Sequence, residues 1–299
     1  MAITRIESVT YGVEELAGSR RFVEDFGLER IDTRDDRVTF RTQVNQRVRL
    51  VQARARDLPR GLEDGSTLCE TIWGVDTPAT LDALHDELSR DRAVRADSDG
   101  VLHSFDETGY AIGFALARPA VAGMPARRAA AGTRDALLHW DRAFDAYTRV
   151  SPLRLARLTL EIPEDGRDAA IDFYRRRLGF EIAASRQTAG TFLRCEAGGA
   201  HHGLVLSERA NRPGVDSATF ELREAAELTA GANFMGAQGW RGARRAERDR
   251  DGVSRQRGFE APCGGRFEYA IEPGDGRGAA RYRELSARQD GLRIDGQAY

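Results

Sequence analysis

The sequence contains no lysine, so arginine supplies all 45 of the basic residues among its 299 positions. A guanidinium stays protonated at physiological pH and supplies no neutral amine. This absence excludes Schiff-base chemistry, and with it pyridoxal-phosphate catalysis and lysine-containing phosphate-binding loops, because both require a primary amine.

Cysteine and long apolar runs are also scarce. The three cysteines, Cys69, Cys195 and Cys263, lie far apart with no Cys-x-x-Cys spacing, which argues against a disulfide framework or a zinc knuckle. The longest apolar stretch, residues 111–117, is far shorter than a membrane-spanning helix, and the first ten residues lack the apolar core of a signal peptide. We therefore expect a cytoplasmic protein without a membrane segment.

No charge of one sign dominates, since 45 basic residues face 47 acidic ones for a formal net charge of −2. Nucleic acid and anionic membrane surfaces are therefore not expected partners, and a small molecule is favoured. The length fits two domains of roughly 100 to 150 residues, each large enough to bury its own core. The sequence is compatible with a homo-oligomer and does not select an oligomeric state.

A strand followed by a helix recurs four times along the chain. Alternating apolar and polar residues predict the first strands of these copies, and equivalent positions in them are Ser8, Glu70, Arg157 and Ser217. Gly27 ends the first predicted helix, and Gly179 ends the third. The repeat predicts an α+β protein built from four similar modules.

The interval between the second and third copies is the longest, and it contains the Ala/Arg/Gly-rich residues 119–133, which are typical of an exposed connection. We predict an N-terminal domain over 1–120 and a linker over 121–150 with a short helix near His139. A C-terminal domain over 151–275 and a tail over 276–299 complete the division.

The helix and Leu-Gly-Phe exit at residues 173–180, within paired strand–helix units, resemble the vicinal oxygen chelate superfamily, which includes glyoxalase I, bleomycin-type resistance proteins and extradiol dioxygenases. The resemblance implies four βαβββ modules paired into two domains, each an open half-barrel with its helices outside. Four modules in one chain resemble the type I extradiol ring-cleaving dioxygenases in particular.

Two stretches of the second domain extend this resemblance. Residues 201–206, His-His-Gly-Leu-Val-Leu, resemble the paired-histidine strand from which extradiol enzymes take an acid–base histidine, which implies that role for His202. Residues 262–268 resemble the Pro-x-Gly-x-x-x-Glu signature, whose glutamate binds the metal and corresponds to Glu268.

The two histidine ligands of that family do not carry over, because their positions hold Arg157 and Ser217. A guanidinium has no lone pair for a metal, and a serine hydroxyl is a poor ligand for ferrous iron. Arg245 stands where a further histidine is expected, and Gly258 or Phe259 where a tyrosine is expected. We expect no cofactor, and Fe(II) only under a different alignment.

Three hypotheses remain open. The first is an extradiol-dioxygenase-like enzyme that acts without iron on an aromatic, quinone-like or polyketide-like molecule through His202, Arg157 and Glu268. The second is a resistance-type protein that sequesters such a molecule, and the third is a true iron-dependent catechol-cleaving enzyme. Arg157 and Glu268 are expected to form a salt bridge in the cleft, and the predicted substrate contacts are Ser217, Arg245, Phe259 and Phe192.

Overall fold

The computed structural model describes residues 2–119, 147–186, 190–195, 203–209, 212–243 and 255–271. All but the last four residues of the predicted linker, including the helix near His139, lie outside these ranges, as does the whole tail from residue 276. Within the described part, no helix has both the length and the apolar character needed to cross a bilayer.

The first sheet has eight strands and two helices. In chain order the elements are β1 (Ile3–Val13), α1 (Leu16–Asp25), β2 (Glu29–Arg34), β3 (Arg37–Arg41), β4 (Arg47–Gln52), β5 (Thr67–Val75), α2 (Pro78–Leu88), β6 (Arg95–Ala96), β7 (Leu102–Phe105) and β8 (Ala111–Leu116). The strands are arranged in the order β2-β3-β4-β1-β5-β8-β7-β6.

The second sheet has seven strands among the described residues. Its elements are β9 (Arg154–Pro163), α3 (Arg167–Asp172), a π-helical turn (Phe173–Arg177), β10 (Glu181–Arg186), β11 (Gly190–Arg194), β12 (Leu204–Arg209), β13 (Gly214–Glu221), α4 (Ala225–Ala237), β14 (Arg255–Glu260) and β15 (Arg266–Ile271). The strand order is β10-β11-β12-β9-β13-β15-β14.

Both sheets are built by one rule, which confirms the predicted α+β fold of paired modules. The first strand of each module pairs in parallel with the last strand of its own module and antiparallel with the first strand of the sister module. Ser8, Glu70, Arg157 and Ser217 lie on these first strands, at the sixth position of β1 and the fourth position of β5, β9 and β13. They are therefore inside the strands rather than at their starts.

Gly27 ends the first helix for two physical reasons. Its φ of +99° lies in the left-handed region that glycine adopts without steric cost. A Cβ atom there would lie 1.9 Å from the carbonyl oxygen of Val150. The segment that leads into the second sheet therefore packs directly against this turn, and no other residue fits there.

One face of the first sheet is apolar and carries the helices, and the opposite face is polar. Residues paired across strands point to the same side, and the register aligns Ser8 with Arg47, Thr10 with Arg49 and Thr10 with Glu70. These five residues define the N-terminal polar face. The side chains that alternate with them are fully buried against the helices: Val9, Tyr11, Val48 and Leu50.

The second sheet repeats this division. Its register aligns Arg157 with Thr219, Thr219 with Glu268 and Ser217 with Arg266, so these five side chains share one side, the C-terminal polar face. The alternating residues form the opposite, apolar face, among them Leu158, Leu160, Ala218, Phe220 and Phe267.

The apolar faces of the two sheets and their helices belong to one hydrophobic core. Phe26, which follows α1, stacks on Tyr269 with ring centroids 4.1 Å apart and meets Phe220 edge-on at 5.1 Å. In the other direction, Trp73 of β5 meets Phe180 at 5.1 Å. The two halves therefore share core contacts, because rings of α1, of the residue that follows it and of β5 meet aromatic side chains of the other half.

A buried polar network also joins the two halves. Oδ1 of Asp106, in the β7–β8 turn, accepts hydrogen bonds from the backbone N–H groups of Thr108, Gly109 and Tyr110, each at 2.9 Å. Its Oδ2 accepts from the Tyr174 hydroxyl of the second half at 2.8 Å. Burial nevertheless dominates these bonds and raises the pKa of Asp106 to about 6.

This raised pKa predicts a pH dependence of stability. Because the native state holds the Asp106 proton more tightly than the unfolded chain, ionisation of Asp106 should destabilise the fold progressively between about pH 4 and pH 6, by roughly 3 kcal/mol in total. Asp106→Asn removes the titration, so the unfolding free energy of the wild type minus that of the variant should fall as pH rises. Denaturant unfolding at a series of pH values measures this difference, and a flat profile would contradict the prediction.

Candidate functional site

The residues that precede β15 fix the position of Glu268. In the Pro-Cys-Gly-Gly turn, the Gly264 N–H donates to the Ala261 carbonyl at 2.9 Å, and the Ala261 N–H donates to the Gly265 carbonyl at 3.0 Å. Gly264 has a φ of +112°, and a Cβ on it would lie 2.4 Å from the Ser66 carbonyl oxygen of the first half. The signature glycine is therefore required by this tight turn and by its close approach to Ser66.

Glu268 lies at the centre of a row of polar groups on the C-terminal polar face. Arg157 Nη2 donates to Thr219 Oγ1 at 3.5 Å, and this hydroxyl donates to Glu268 Oε2 at 3.1 Å. On its other side, Arg266 Nη2 lies 3.5 Å from Glu268 Oε1 and 2.6 Å from Asp216 Oδ2. The row thus holds a nearly buried carboxylate between two guanidinium groups.

The predicted salt bridge between Arg157 and Glu268 is wrong. Strand β13 lies between β9 and β15, so the backbones of these two residues are two strand spacings apart, about 9.5 Å. Thr219 occupies the intervening position and links them by hydrogen bonds. Thr219 was not among the predicted site residues, although it lies two residues after Ser217 and therefore on the same face of the strand.

The other predicted site residues are distributed unevenly. Ser217 lies on the polar face, and its hydroxyl donates to Asp216 Oδ2 at 3.2 Å. Phe192 of β11 is aligned with Val205, which is aligned with Thr159 of β9, so it too lies on the C-terminal polar face. His202 and Arg245 lie outside the described residues.

The predicted ligand contact of Phe259 is corrected by its position in the shared core. Phe259 is aligned with Phe267 across β14 and β15, which places its ring on the apolar side of the sheet. It is buried there and meets Tyr269 at 5.8 Å and Phe26 at 6.5 Å between ring centroids. The family resemblance matched Phe259 to a position in the chain, but it did not show on which face of the strand the ring lies.

A ferrous iron site does not fit the described residues of this face. The oxygens of Glu268, the carboxylate at the family's ligand position, are engaged by the Thr219 hydroxyl and by Arg266. The guanidinium groups of Arg157 and Arg266 would repel a cation here. In the part of the chain that the structure describes, no cluster of three His, Cys, Asp or Glu side chains has a metal-binding arrangement.

The N-terminal polar face also carries a titratable cluster, which was not predicted. His103 Nδ1 lies 2.6 Å from Glu70 Oε1, and His103 Nε2 lies 3.2 Å from Asp97 Oδ2. The hydrogen bond to Glu70 raises the pKa of His103. A carboxylate on each ring nitrogen favours the protonated imidazolium, in which both nitrogens donate.

The proteins found to be similar to this chain are solved structures that share its fold at low sequence identity. No protein-family model matches the sequence, and no curated protein matches it significantly. Among solved structures, a Mn(II)-bound glyoxalase from Novosphingobium aromaticivorans has 19% identity and a TM-score of 0.66 over 91% of this chain and 83% of its own. The 2,3-dioxygenase LapB from Pseudomonas sp. KL28 has 16% identity and a TM-score of 0.67 over 92% and 94%.

A third similar structure is homoprotocatechuate 2,3-dioxygenase from Brevibacterium fuscum in complex with 3,4-dihydroxyphenylacetate, with 18% identity and a TM-score of 0.67 over 93% of this chain and 84% of that one. At these identities the likeness establishes the fold alone. The chain therefore has the vicinal oxygen chelate fold. The likeness spans 91–93% of the chain in these three structures, a glyoxalase and two dioxygenases.

Proposed function

We propose that this protein binds a small phenolic or quinone-like molecule on the C-terminal polar face and acts on it without ferrous iron, in the cytoplasm. The observation that carries the proposal is the state of Arg157. In the described part of the chain, its guanidinium makes one long hydrogen bond, to Thr219, and no ion pair. A phenolate or carbonyl oxygen would supply the acceptor that this cation lacks.

The surroundings of Arg157 suit a flat ring. Val205 of β12 and Phe192 of β11 lie on the same face, toward one edge of the sheet, and give an apolar flank. Thr219 and Glu268 lie on the other side and give hydrogen-bonding groups. Apolar walls with a few convergent polar groups are typical of small-molecule sites.

His202 decides between catalysis and sequestration. Gly203, the next residue, accepts a hydrogen bond from the Leu158 N–H at 3.1 Å and so lies beside Arg157 in the sheet. We propose that His202 exchanges a proton with the phenol or enol of the ligand, since an imidazole titrates near neutrality. The second candidate is a binding protein that holds the same ligand without turnover.

The proposal predicts that Arg157→Gln weakens binding of 3,4-dihydroxyphenylacetate or 1,4-naphthoquinone by roughly ten- to hundredfold, because a charge-assisted hydrogen bond is lost. Calorimetric titration of the purified protein measures the dissociation constants. Arg176→Gln makes the same change at a largely exposed helix position and should leave them within about twofold.

His202→Ala then separates the two candidates: turnover of a bound compound should collapse if His202 transfers protons, whereas a binder loses only modest affinity. Unaltered binding in Arg157→Gln would refute the site. Stoichiometric iron in the freshly purified protein, with oxygen uptake and a yellow ring-opened product from catechols, would refute the iron-independent chemistry and leave the binding site standing.

A further inference from the structure

We infer that the N-terminal polar face holds a second ligand site, for a small molecule with a carboxylate or phosphate group. Arg47 and Arg49 of β4 point to the same side as Ser8 and Thr10 of β1. Both arginines are partly buried, and Thr10 lies between Arg49 and Glu70 on the sheet. This site is on the other sheet from Arg157 and is independent of the proposed function.

Neighbouring arginines on this half of the molecule have carboxylate partners. Arg37 lies 2.9 Å from Asp36 and from Asp57, and Arg41 lies 2.8 Å from Glu29. Arg118 lies 2.9 Å from Glu7, whose side chain is fully buried. By contrast, Arg47 and Arg49 form neither an ion pair within 4 Å nor a side-chain hydrogen bond within the described ranges, and the buried Nε of Arg47 has no acceptor.

Two adjacent cations without counter-ions are unfavourable in a partly buried position. Burial first, and then repulsion by Arg118, lowers the pKa of each of them. Acidic groups nearby offset part of this repulsion. However, Glu70 and Asp97 are engaged with His103 and Glu7 with Arg5 and Arg118, and neither these carboxylates nor Asp99 lies within ion-pair distance of Arg47 or Arg49. The arrangement destabilises the ligand-free protein and is relieved when an anion binds.

The geometry indicates the chemistry of that anion. A guanidinium presents a planar fork of N–H donors that matches two oxygens of a carboxylate or phosphate. Two such forks at positions i and i+2 of one strand lie on the same face, where both can reach one oxyanion, and the hydroxyls of Ser8 and Thr10 on the next strand can donate to it. The ligand is therefore a small molecule that presents an oxyanion to this arginine pair.

The test is calorimetric titration at low ionic strength with inorganic phosphate and, separately, with malonate, which carries no aromatic ring. We expect at least one probe to bind the wild type at millimolar concentration or below, and Arg47→Gln or Arg49→Gln to raise its dissociation constant roughly ten- to hundredfold. Binding of phosphate alone, or of malonate alone, shows whether the site prefers a phosphate or a carboxylate, and either result supports the site.

Arg54→Gln is the matched control, since Arg54 is exposed just beyond β4 and its removal changes the net charge equally. It should stay within about twofold of the wild type. Ligand-free Arg49→Gln should melt no lower than the wild type, which separates lost binding from lost folding, and Arg157→Gln should bind the probe normally. The inference is overturned if neither probe binds the wild type, or if the Arg47 and Arg49 variants bind it as well as Arg54→Gln does.

Discussion

Phe26→Ala should lower the free energy of unfolding by about 3–5 kcal/mol, because it removes a fully buried aromatic ring and leaves a cavity. The ring follows a helix of the first half, yet its neighbours belong to the second sheet: Tyr269 at 4.1 Å, Phe220 at 5.1 Å and Phe267 at 5.3 Å between centroids. Chemical denaturation should show one cooperative transition, shifted as a whole.

Phe105→Ala makes the same chemical change where the ring is 51% exposed, and it should cost no more than about 1 kcal/mol. A shared core requires that the two sheets unfold together in the wild type. Two separated transitions, with Phe26→Ala moving only the one that belongs to the first half, would show that the sheets are stable independently.

The modular fold could be predicted because each local signal agreed with the others. Alternating apolar residues predicted β1 and β9, and Gly27 and Gly179 have the positive φ values expected where the helices end. The helix of the second module, Pro78–Leu88, likewise begins with a local signal, since Thr77 accepts a hydrogen bond from the Thr80 N–H at its start. Such signals depend on neighbouring residues and are readable from sequence.

The shared core could not be predicted in the same way. Periodicity shows that a helix has an apolar side, and it does not show which sheet covers that side. The sequence pattern around Phe26 would be the same if the ring packed on its own sheet, but it packs on Phe220 and Tyr269 of the other sheet. Chain length suggested two cores, because length gives the number of residues in each half and not the contacts between the halves.

The strands that carry the site could be predicted from the sequence, but the side-chain pairs that form on them could not. The Pro-x-Gly-x-x-x-Glu resemblance drew attention to Glu268, which lies on the strand next to that of Ser217, but the order of the strands in the sheet determines which side chains meet. That order puts Thr219 between Arg157 and Glu268 and Phe259 in the core. His103 and Glu70 are 33 residues apart, and no local pattern connects them.

The two polar faces are built on the same backbone plan and present different charges. On the second sheet, Glu268 is bound by Arg266 and Thr219, and Arg157 has no carboxylate partner among the described residues. On the first sheet, Arg47 and Arg49 likewise have no carboxylate partner among the described residues. The two proposed ligand sites therefore lie on different sheets, and a substitution at one of them should leave the other unchanged.

Gln46→Leu should destabilise the protein by roughly 2–4 kcal/mol, because it removes a buried amide whose hydrogen bonds join the two sheets. Its Nε2 donates to the Ile6 carbonyl at 2.7 Å and to the Leu155 carbonyl at 2.8 Å, and its Oε1 accepts from the Leu155 N–H at 2.7 Å. Leucine fills similar space but leaves the Leu155 N–H buried without this acceptor. Thermal or denaturant unfolding measures the loss.

Gln52→Leu supplies the control, since Gln52 ends the same strand β4 with an exposed side chain, and its effect should stay within about 0.5 kcal/mol. Gln46 also immediately precedes Arg47, so its bonds to β1 and β9 hold the start of β4 where the two arginines project. Gln46→Leu should therefore weaken phosphate or malonate binding as well as stability, whereas Phe26→Ala, measured where it remains folded, should reduce stability alone. Equal unfolding free energies for Gln46→Leu and Gln52→Leu would show that the amide does not clamp the sheets.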